Sequence, residues 1–456
     1  MGASVVSALA VILVPCLWAV LVRLAWRPHA VTRPFARQGV RGPPYRFFLG
    51  NTGEFRAMWA AAASCGATLD RSSHDIVPLL MLHLHAWTSR YGKVFLWWRG
   101  STPVLSLGHY DMVRLVLASD KAGGHFVKPV RMMAGVMAAC TGEVVRAWAA
   151  VVAAASGGEG AVVEVGRCFR ELTADVISRT AFGSSYRQGK EAFLAQRELL
   201  LDAMAAMDDG VRVPGVQYVP TRANVRRWKL ERKVRATLKG ISQSQRVAVM
   251  RMDEIIDECK TFFFAGHETT AHLLTWSMFL LATHPEWQRR LRDEVLLECG
   301  GGDALNLNKL ELVTMVLYET MRLYGPISSI EREATADVEL CSGVKVPRGT
   351  VLSLPFAMLH RDEEAWGTDA GEFNPLRFRE DGAGTGGAAA AAHPGALMLA
   401  FSAGPRSCVG QDMAMLEAKA TLALILRRFT FELAPGYVHA PAGHLAPEMH
   451  VVLKLL

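Results

Sequence analysis

A cysteine in the stretch from Phe401 to Gln411 stands among residues that could hold it as a metal ligand. Cys408 lies in a turn-rich loop that runs into the amphipathic segment Met413 to Arg427, so its thiol falls at the start of a helix. A thiolate there is stabilised by backbone N–H groups and by the positive end of the helix dipole. The sequence therefore predicts Cys408 as a metal ligand, whereas a cysteine without such neighbours is usually inert packing.

Four further positions of this loop have the spacing that a thiolate-bound macrocycle needs. Phe401 can cover the sulfur, and Gly404 permits the tight turn. Gly410 leaves space where a flat macrocycle can lie against the helix. Arg406 precedes the ligand by two residues, and its planar fork suits an acidic group such as a haem propionate. The matching positions of the pattern FxxGxRxCxG thus favour Cys408 as a ligand over inert packing.

This loop resembles that of the cytochromes P450, the haem-thiolate monooxygenases, and a charged pair upstream agrees with the resemblance. Glu319 and Arg322 form an ExxR motif, whose i, i+3 spacing puts both charges on one helix face. The segment Phe373 to Phe378 resembles the PxRF segment of the family. The resemblance implies that Arg377 joins Glu319 and Arg322 in a buried charge triad that fixes the loop leading to Cys408. An ExxR pair alone would more often be a solvated ion pair.

A third motif lies inside a long apolar helix. Ala265 and Thr269 share one helix face at i, i+4 spacing, and Gly266 lies beside them, so this stripe is small and polar. In the family the stripe faces the iron, and the resemblance implies that Thr269 and the acidic Glu268 deliver protons for oxygen activation. The alternative to a catalytic role is a kinked core helix that Gly266 weakens.

The remaining histidines and arginines include one further candidate for haem binding and no zinc site. A zinc-protease reading of HETTAH fails because His267 and His272 are five residues apart and about 140° around the helix, whereas HExxH needs i, i+4 spacing. Arg332 resembles the arginine that binds the second haem propionate in the family. His83 is expected at the surface, and His360 is expected to do nothing beyond packing.

The elements that must position these residues are mostly helical. Apolar residues recur at helical spacing over Ile255 to Leu281 and most other segments. Short β-like runs are expected at Val94 to Trp98, Val104 to Leu107, Val351 to Leu354 and Val451 to Leu455. The Gly- and Ala-rich stretch Asp381 to Ala396 is expected as a surface loop. The predicted class is mainly α with small β-sheets, and the resemblance implies the cytochrome P450 fold with an N-terminal transmembrane helix.

The N-terminal region predicts a membrane anchor. Ala3 to Val22 carries no charge, and about 20 apolar residues suffice for a helix that crosses a bilayer. Five arginines follow this run, which by the positive-inside rule puts the remainder in the cytosol. We expect an anchor over 1–25, a basic and proline-rich hinge over 26–45, and a monooxygenase domain over 46–456.

Composition excludes several other classes. The chain has 456 residues, of which 51% are hydrophobic, so it can bury a large core and is not a disordered tail. A net charge of +7 is mild for this length, so nucleic-acid binding has little support. The eight cysteines show no CxxC pair, which argues against a zinc cluster or a disulfide framework.

The resemblance also implies cofactor, partners and substrate. It implies haem b, an NADPH-cytochrome reductase as electron donor, a location on the cytosolic face of the endoplasmic reticulum membrane, and an apolar small-molecule substrate. Within the family the chain is most similar to the brassinosteroid-inactivating 26-hydroxylases of grasses. Substrate contacts would then fall at the α-helical stripe, at Gly325 to Ser329 and at Leu445 to Glu448.

The resemblance degrades between Phe126 and Gly183, and this leaves alternatives open. The family carries a WxxxR there, whose Trp and Arg hold a propionate. Aligned on Gly142, this chain has Val145 and Ala149 at those positions, and aligned on Trp148 it has Val152 in place of the Arg, so both alignments lack the motif. The segment is also short by some tens of residues. The alternatives are oxidation of another plant hormone or a fatty acid, a peroxide-using isomerase or dehydratase, and a non-catalytic paralogue that binds little haem. The intact Glu268-Thr269 pair argues against the isomerase.

Overall fold

The computed structural model describes most of the chain. The described residues are 14, 18, 22–64, 68–118, 133–155, 160–182, 194–199, 202, 218–242, 252–299, 306–341, 343–379, 398–440 and 448–456. Among these residues the α-helices include α1 (Arg27–Arg37), α2 (Thr52–Ser64), α3 (Val77–Leu80), α4 (Leu82–Tyr91), α5 (Tyr110–Ala118), α6 (Ala134–Ala154), α7 (Val165–Phe182), α8 (Arg222–Ser242), α9 (Met252–Thr283), α10 (Pro285–Cys299), α11 (Glu311–Tyr324), α12 (Phe356–Leu359), α13 (Glu363–Trp366) and α14 (Gln411–Leu426).

Four of these helices, α6, α7, α9 and α14, pack together as the centre of the helical core. Leu273 to Leu281 of α9 is buried throughout. Most of its side chains are apolar, and its hydroxyl side chains donate to backbone carbonyls one helical turn earlier. The hydroxyl of Thr275, for example, donates to the carbonyl of Ala271 at 2.7 Å. Between α6 and α14 the hydroxyls of Thr141 and Thr421 lie 3.2 Å apart. The bundle thus accepts polar residues where each hydroxyl finds a partner.

The strands form three small sheets. They are β1 (Val94–Arg99), β2 (Thr102–Leu107), β3 (Ala161–Glu164), β4 (Ile330–Glu333), β5 (Val338–Glu339), β6 (Lys345–Val346), β7 (Val351–Leu354), β8 (Phe429–Leu433) and β9 (His450–Leu455). The largest sheet has the order β1-β2-β7-β4, in which β2 and β7 run parallel and the other neighbours run antiparallel. The others have the orders β3-β9-β8 and β5-β6.

These elements confirm the predicted mainly α class with small sheets, and all four predicted strands form. Three sequence expectations fall outside the described residues. They are most of the apolar run Ala3 to Val22, of which only Val14 and Trp18 are described, the loop Asp381 to Ala396, and most of Leu445 to Glu448.

Helix α6 is, among the described helices, long and apolar enough to cross a membrane. It nevertheless packs against α7 and α14, and its residues Met137, Cys140, Val145 and Trp148 are buried there. These buried residues form the face by which the helix joins the helical core.

Candidate active site

Cys408 lies two residues before the N-terminal cap of α14. Gly410 is the cap residue, and the loop turns back so that the Cys408 N–H donates to the carbonyl of Phe401 at 2.8 Å. Cys408 is exposed as a residue. Protein atoms nearby raise the pKa of the thiol by desolvation, and a hydrogen bond from the Gly410 backbone only partly lowers it. A bound metal would therefore have to displace the proton of this thiol.

Gly404 is needed where this loop meets the end of α5. Its φ is +72°, a conformation that L side chains rarely adopt, and an added Cβ would come within 2.3 Å of the carbonyl oxygen of Leu117. The N–H of Ser407 donates to the Gly404 carbonyl at 3.0 Å and closes the turn. The tight turn predicted at Gly404 is thus present, and its purpose is close backbone contact with α5.

Glu319, Arg322 and Arg377 lie together in the interior and are at most 1% exposed. The Glu319 carboxylate accepts from Arg322 Nε and Nη2 at 2.7 Å each, and from Arg377 Nε at 3.4 Å. It also accepts the N–H of Asn374 at 2.8 Å. The contact that the resemblance implied for these three residues is therefore present in the structure.

The two arginines of this triad extend its hold to neighbouring backbone. Arg322 donates to the carbonyls of His360, Ala370 and Glu372, and Arg377 donates to Asp369 Oδ1 at 2.8 Å. A buried charge pair is costly unless its remaining donors are satisfied, and here backbone carbonyls satisfy them. The cluster consequently fixes the chain from His360 to Arg377.

His360 is a residue whose role the sequence reasoning missed. Its ring is buried, and Nε2 accepts the N–H of Leu399 at 3.0 Å, two residues before Phe401. Burial lowers the pKa of His360 to about 3, so the imidazole is neutral and Nε2 can act as an acceptor. Since its carbonyl binds Arg322, His360 joins the charge triad to the beginning of the Cys408 loop. The available signal was its position directly after the apolar turn Phe356 to Leu359, which carries the imidazole into the interior.

In α9 the side chains of Glu268 and Thr269 have different surroundings. Glu268 is 4% exposed, and its Oε1 lies 3.1 Å from Arg197 Nε and 3.4 Å from His267 Nε2. Burial raises the pKa of Glu268, but His267, Arg197 and Arg170 together lower it by more, so the carboxyl is ionised at neutral pH. The partly exposed Thr269 donates its hydroxyl to the carbonyl of Ala265 at 2.6 Å.

Over residues 262–269, helix α9 has one open face and one buried face. Phe262 and Ala265 are exposed and Thr269 is partly exposed, and their spacing of three and four residues puts them on one side. Gly266 lies against α7, where an added Cβ would meet Ile177 Cδ1 at 2.9 Å. The small stripe thus serves two purposes, since Gly266 permits close helix packing while Ala265 and Thr269 border the open face.

The two arginines expected at propionates have different settings. Arg406 is exposed on the Cys408 loop. Arg332, on β4, is partly buried and donates from Nη1 to the carbonyl of Glu331 at 2.9 Å.

Val145 and Ala149 are buried in α6, 7% and 8% exposed, within the helical core. Trp148 packs beside them against Phe169 of α7 and Phe429 of β8. A Trp and an Arg at these two positions would point into apolar packing, so they could not hold a propionate in this arrangement. The observation that neither residue could bind a propionate agrees with the absence of the family's WxxxR from these two positions.

The residues present fit a haem. The Cys408 thiol offers an accessible soft ligand, and the missing Cβ of Gly410 has only the Cys408 sulfur near it, at 3.9 Å. Met413, five residues beyond Cys408, packs against the cluster that contains Phe263 of α9 and Ile177 of α7. Helix α9 thus packs against the start of α14, close to the Cys408 loop.

Comparison with known proteins assigns this arrangement to a family. The family model described as "Cytochrome P450" matches residues 223–442. The chain is 36% identical to cytochrome P450 709B1 of Arabidopsis thaliana, over 92% of each protein. It is also 36% identical to cytochrome P450 734A1 of Arabidopsis thaliana and to cytochrome P450 734A6 of Oryza sativa subsp. japonica, over 92% of this chain and 90% of each relative.

The alignment with 709B1 extends over 486 positions, which is more than the 456 residues of this chain. Some segments of that relative therefore have no counterpart here.

Proposed function

The chain belongs to the cytochrome P450 family of monooxygenases, and on this premise we propose that it hydroxylates an apolar steroid-type plant hormone with O2 and electrons from NADPH. The observation that supports the proposal most is the accessible Cys408 thiol before α14, in a loop whose beginning is joined through His360 to the cluster of Glu319, Arg322 and Arg377. A haem b bound there would supply the activation of O2 that such a reaction requires.

In this proposal Cys408 is the axial ligand, and the loop around it shapes the haem site. The backbone turn at Gly404 and the absence of a side chain at Gly410 leave the sulfur uncovered, while the Phe401 carbonyl orients the Cys408 backbone. Arg406 and Arg332 are the proposed partners of the two propionates, because guanidinium groups bind carboxylates with two parallel hydrogen bonds.

Glu268 and Thr269 are the proposed proton-transfer residues, and their roles differ. Thr269 borders the open face of α9, so its hydroxyl is the group that can reach a molecule in the site. Glu268 is held by Arg197 and His267, and its Oε2 makes no hydrogen bond within the described residues. An ionised carboxylate with a spare oxygen can accept a proton from water and pass it on, which supports a relay role.

The substrate class is proposed from chemistry and from resemblance. The segment Gly325 to Ser329 after α11 mixes apolar with small hydroxyl side chains, as does the α9 stripe. Burial of an apolar frame contributes about 25 cal/mol per Å2, and each unmatched hydroxyl costs about 1 to 3 kcal/mol. A rigid hormone with a few hydroxyls, such as a brassinosteroid, suits this lining, and side-chain hydroxylation would inactivate it. Another plant hormone or a fatty acid is the alternative substrate.

We further propose a single-pass anchor over 1–25, a hinge over 26–45 and the catalytic domain over 46–456. The uncharged run from Ala3 to Val22 and the arginines after it support insertion with the catalytic domain in the cytosol, at the endoplasmic reticulum. An NADPH-cytochrome reductase in the same membrane would then deliver the electrons.

The first test is the spectrum of the reduced carbon-monoxide complex. Replacing Cys408 with Ala should abolish the Soret band characteristic of a thiolate ligand, because an alanine cannot coordinate the iron. Cys299→Ala is the matched control, since Cys299 is buried at the end of α10 and should leave the band unchanged. An unaltered band in the Cys408 variant would refute the assignment of the ligand.

The substrate is tested separately on haem-loaded protein. A brassinosteroid should shift the iron from low to high spin and should be hydroxylated when reductase and NADPH are present. A spin shift with a gibberellin or a fatty acid but not with steroids would move the substrate to the alternative class.

Two observations keep a non-catalytic paralogue as a second candidate. The buried Val145 and Ala149 leave the family's WxxxR without a place on α6, and the alignment with 709B1 exceeds the chain in length. Purified full-length protein that retains no haem and shows no spin shift with any of these ligands would favour this candidate over the enzyme.

A further inference from the structure

Three consecutive polar residues of α9, His267, Glu268 and Thr269, point to successive sides of the helix. Because an α-helix turns by about 100° per residue, the Glu268 side chain lies between those of His267 and Thr269 around the axis. Thr269 borders the open face, whereas His267 and Glu268 are only 6% and 4% exposed. Of these three residues, the buried imidazole has no part in the proposed proton transfer.

The backbone of α9 fixes the proton on one ring nitrogen of His267. Nδ1 lies 2.7 Å from the carbonyl oxygen of Phe263, one turn earlier on the helix. A carbonyl oxygen can only accept a hydrogen bond, so Nδ1 must carry a proton. The imidazole packs against the ring of Phe263 at 4.4 Å, and the hydroxyl of Thr173 on α7 donates to the His267 carbonyl at 3.0 Å. These contacts hold the imidazole in one orientation.

The other ring nitrogen lies beside Glu268. His267 Nε2 is 3.4 Å from Glu268 Oε1. Since Nδ1 carries a proton, Nε2 of a neutral ring offers only a lone pair, which an ionised carboxylate would repel. The contact is favourable when one proton lies between the two atoms, either as imidazolium with carboxylate or as imidazole with carboxylic acid. The pair therefore needs one shared proton.

The other basic neighbours of Glu268 are two arginines. Arg197 Nε donates to the same Oε1 at 3.1 Å, and Arg170 on α7 adds a second positive charge. A guanidinium group keeps its proton throughout the physiological pH range, so neither arginine can give one to the carboxylate. Of these three basic neighbours, only His267 can release a proton to Glu268.

The carboxyl group can pass a proton on because its contacts engage one oxygen. Glu268 Oε1 takes the contacts with Arg197 and His267, whereas Oε2 makes no hydrogen bond within the part of the chain that the structure describes. Rotation about the Cγ–Cδ bond exchanges the two oxygens, so a proton received at Oε1 can be turned away from the histidine. The Arg197 side chain is 35% exposed, so water reaches the edge of this cluster and can return a proton to the imidazole.

We propose that His267 is a positioning residue that stores one proton and delivers it to Glu268, a role that rests on the proposed monooxygenase function. In this step the Nε2–H bond breaks and an O–H bond forms at Glu268 Oε1, which leaves a neutral imidazole that keeps its Nδ1 proton. Water then returns a proton to Nε2, so the step needs no oxidant or reductant. The relay runs around α9 in the order His267, Glu268 and Thr269.

The test compares His267→Gln and His267→Asn in the full-length protein in lipid vesicles. The glutamine amide is long enough to donate to Glu268 but cannot release a proton to it. The asparagine amide can still donate to the Phe263 carbonyl, as Nδ1 does, but lacks the second nitrogen. His272→Gln is the matched control, since His272 lies on the same helix, is 5% exposed and packs against Trp276.

Infrared titration of the Glu268 carboxyl reads out the shared proton without turnover, and the band is identified by its loss in Glu268→Gln. In both His267 variants the carboxyl should bind a proton at higher pH than in wild type, because the positive imidazolium beside it is gone. His272→Gln should titrate as wild type does. An unchanged or lower titration in the His267 variants would show that Nε2 holds no proton and would overturn the proposal, and either variant suffices should the other fail to fold.

Turnover with reductase, NADPH and a brassinosteroid reads out the delivery of the proton. Both His267 variants should lower kcat about tenfold or more and release more of the consumed O2 as hydrogen peroxide, while KM and the spin shift stay unchanged. A wild-type kcat in His267→Gln would mean that a donated hydrogen bond suffices, which would overturn the relay. If the wild type itself formed no product, the proposed function would fail instead, and the infrared titration would still decide whether the proton is shared.

Discussion

At the scale of single residues, a neutral buried imidazole connects the charge triad to the cysteine loop. His360 receives the Arg322 guanidinium on its carbonyl and the Leu399 N–H on its ring. A charged imidazole would lose the second bond, because both ring nitrogens would then be donors. The position of Cys408 consequently depends on a residue that has no place in any of its sequence motifs.

His360→Gln should be better tolerated than His360→Leu. The glutamine carbonyl oxygen can still accept the Leu399 N–H, whereas leucine leaves that donor buried and unsatisfied, at a cost of about 1 to 3 kcal/mol. We expect the Leu variant to lower the midpoint of thermal unfolding and to reduce the fraction of protein that shows a thiolate Soret band. Equal behaviour of the two variants would show that the ring contributes packing only.

At the scale of secondary-structure elements, the position of α6 in the helical core decides which of its residues are buried and which substitutions they tolerate. The helix is apolar enough to cross a membrane, and it contains Val145 and Ala149, which align with the propionate-binding motif of the family. Its buried face nevertheless packs on α7 and α14. Ala149 and Ala150 illustrate the consequence, because the first is buried and its neighbour is exposed. The same substitution at these two sites therefore meets opposite environments.

Ala149→Arg should destabilise the protein by about 3 kcal/mol or more, because it buries an unpaired charge. Ala150→Arg, one residue along the helix, should change the free energy of unfolding by at most about 0.5 kcal/mol, as is usual for surface substitutions. Denaturant unfolding of both variants measures the difference. If Ala149→Arg instead preserved stability and increased haem retention, α6 would have to present this position to the haem and the packing described here would be wrong.

At the scale of the whole molecule, four histidines are held neutral by burial. Burial lowers the pKa of His74, His83 and His360 to about 3 and that of His439 to about 4, against about 6.5 in an unfolded chain. Between these values the unfolded state binds more protons than the native state, so protonation favours unfolding. The stability that these rings provide is complete above about pH 6.5 and is lost progressively as the pH falls toward 3.

The free energy of unfolding should accordingly fall as the pH is lowered from 7 to 4, by about 1.4 kcal/mol per pH unit for each histidine that remains neutral in the native state. His360→Gln removes one of these groups, so its stability should decline with a correspondingly shallower slope. Denaturant titrations at several pH values measure both slopes. Identical slopes for the variant and the wild type would mean that His360 is protonated in the native protein.

The sequence by itself determined the chemistry and the local structure. The spacing of the Cys408 loop and of Glu319 and Arg322 is set within one turn or one helix, so the family, the α-rich class and the strands could be predicted from adjacent residues. Such features depend on short-range geometry, which the order of residue types specifies directly.

The tertiary structure alone decided the contacts between residues that are far apart in the chain. His360 and Leu399, Glu268 and Arg197, and Gly404 and Leu117 become partners because helices and loops pack in three dimensions. Burial likewise sets the surroundings of His83 and Ala149, since a side chain's solvation depends on the elements that surround it. Whether a histidine is charged or an alanine can be replaced by arginine is a property of that packing, and no local pattern of residues encodes it.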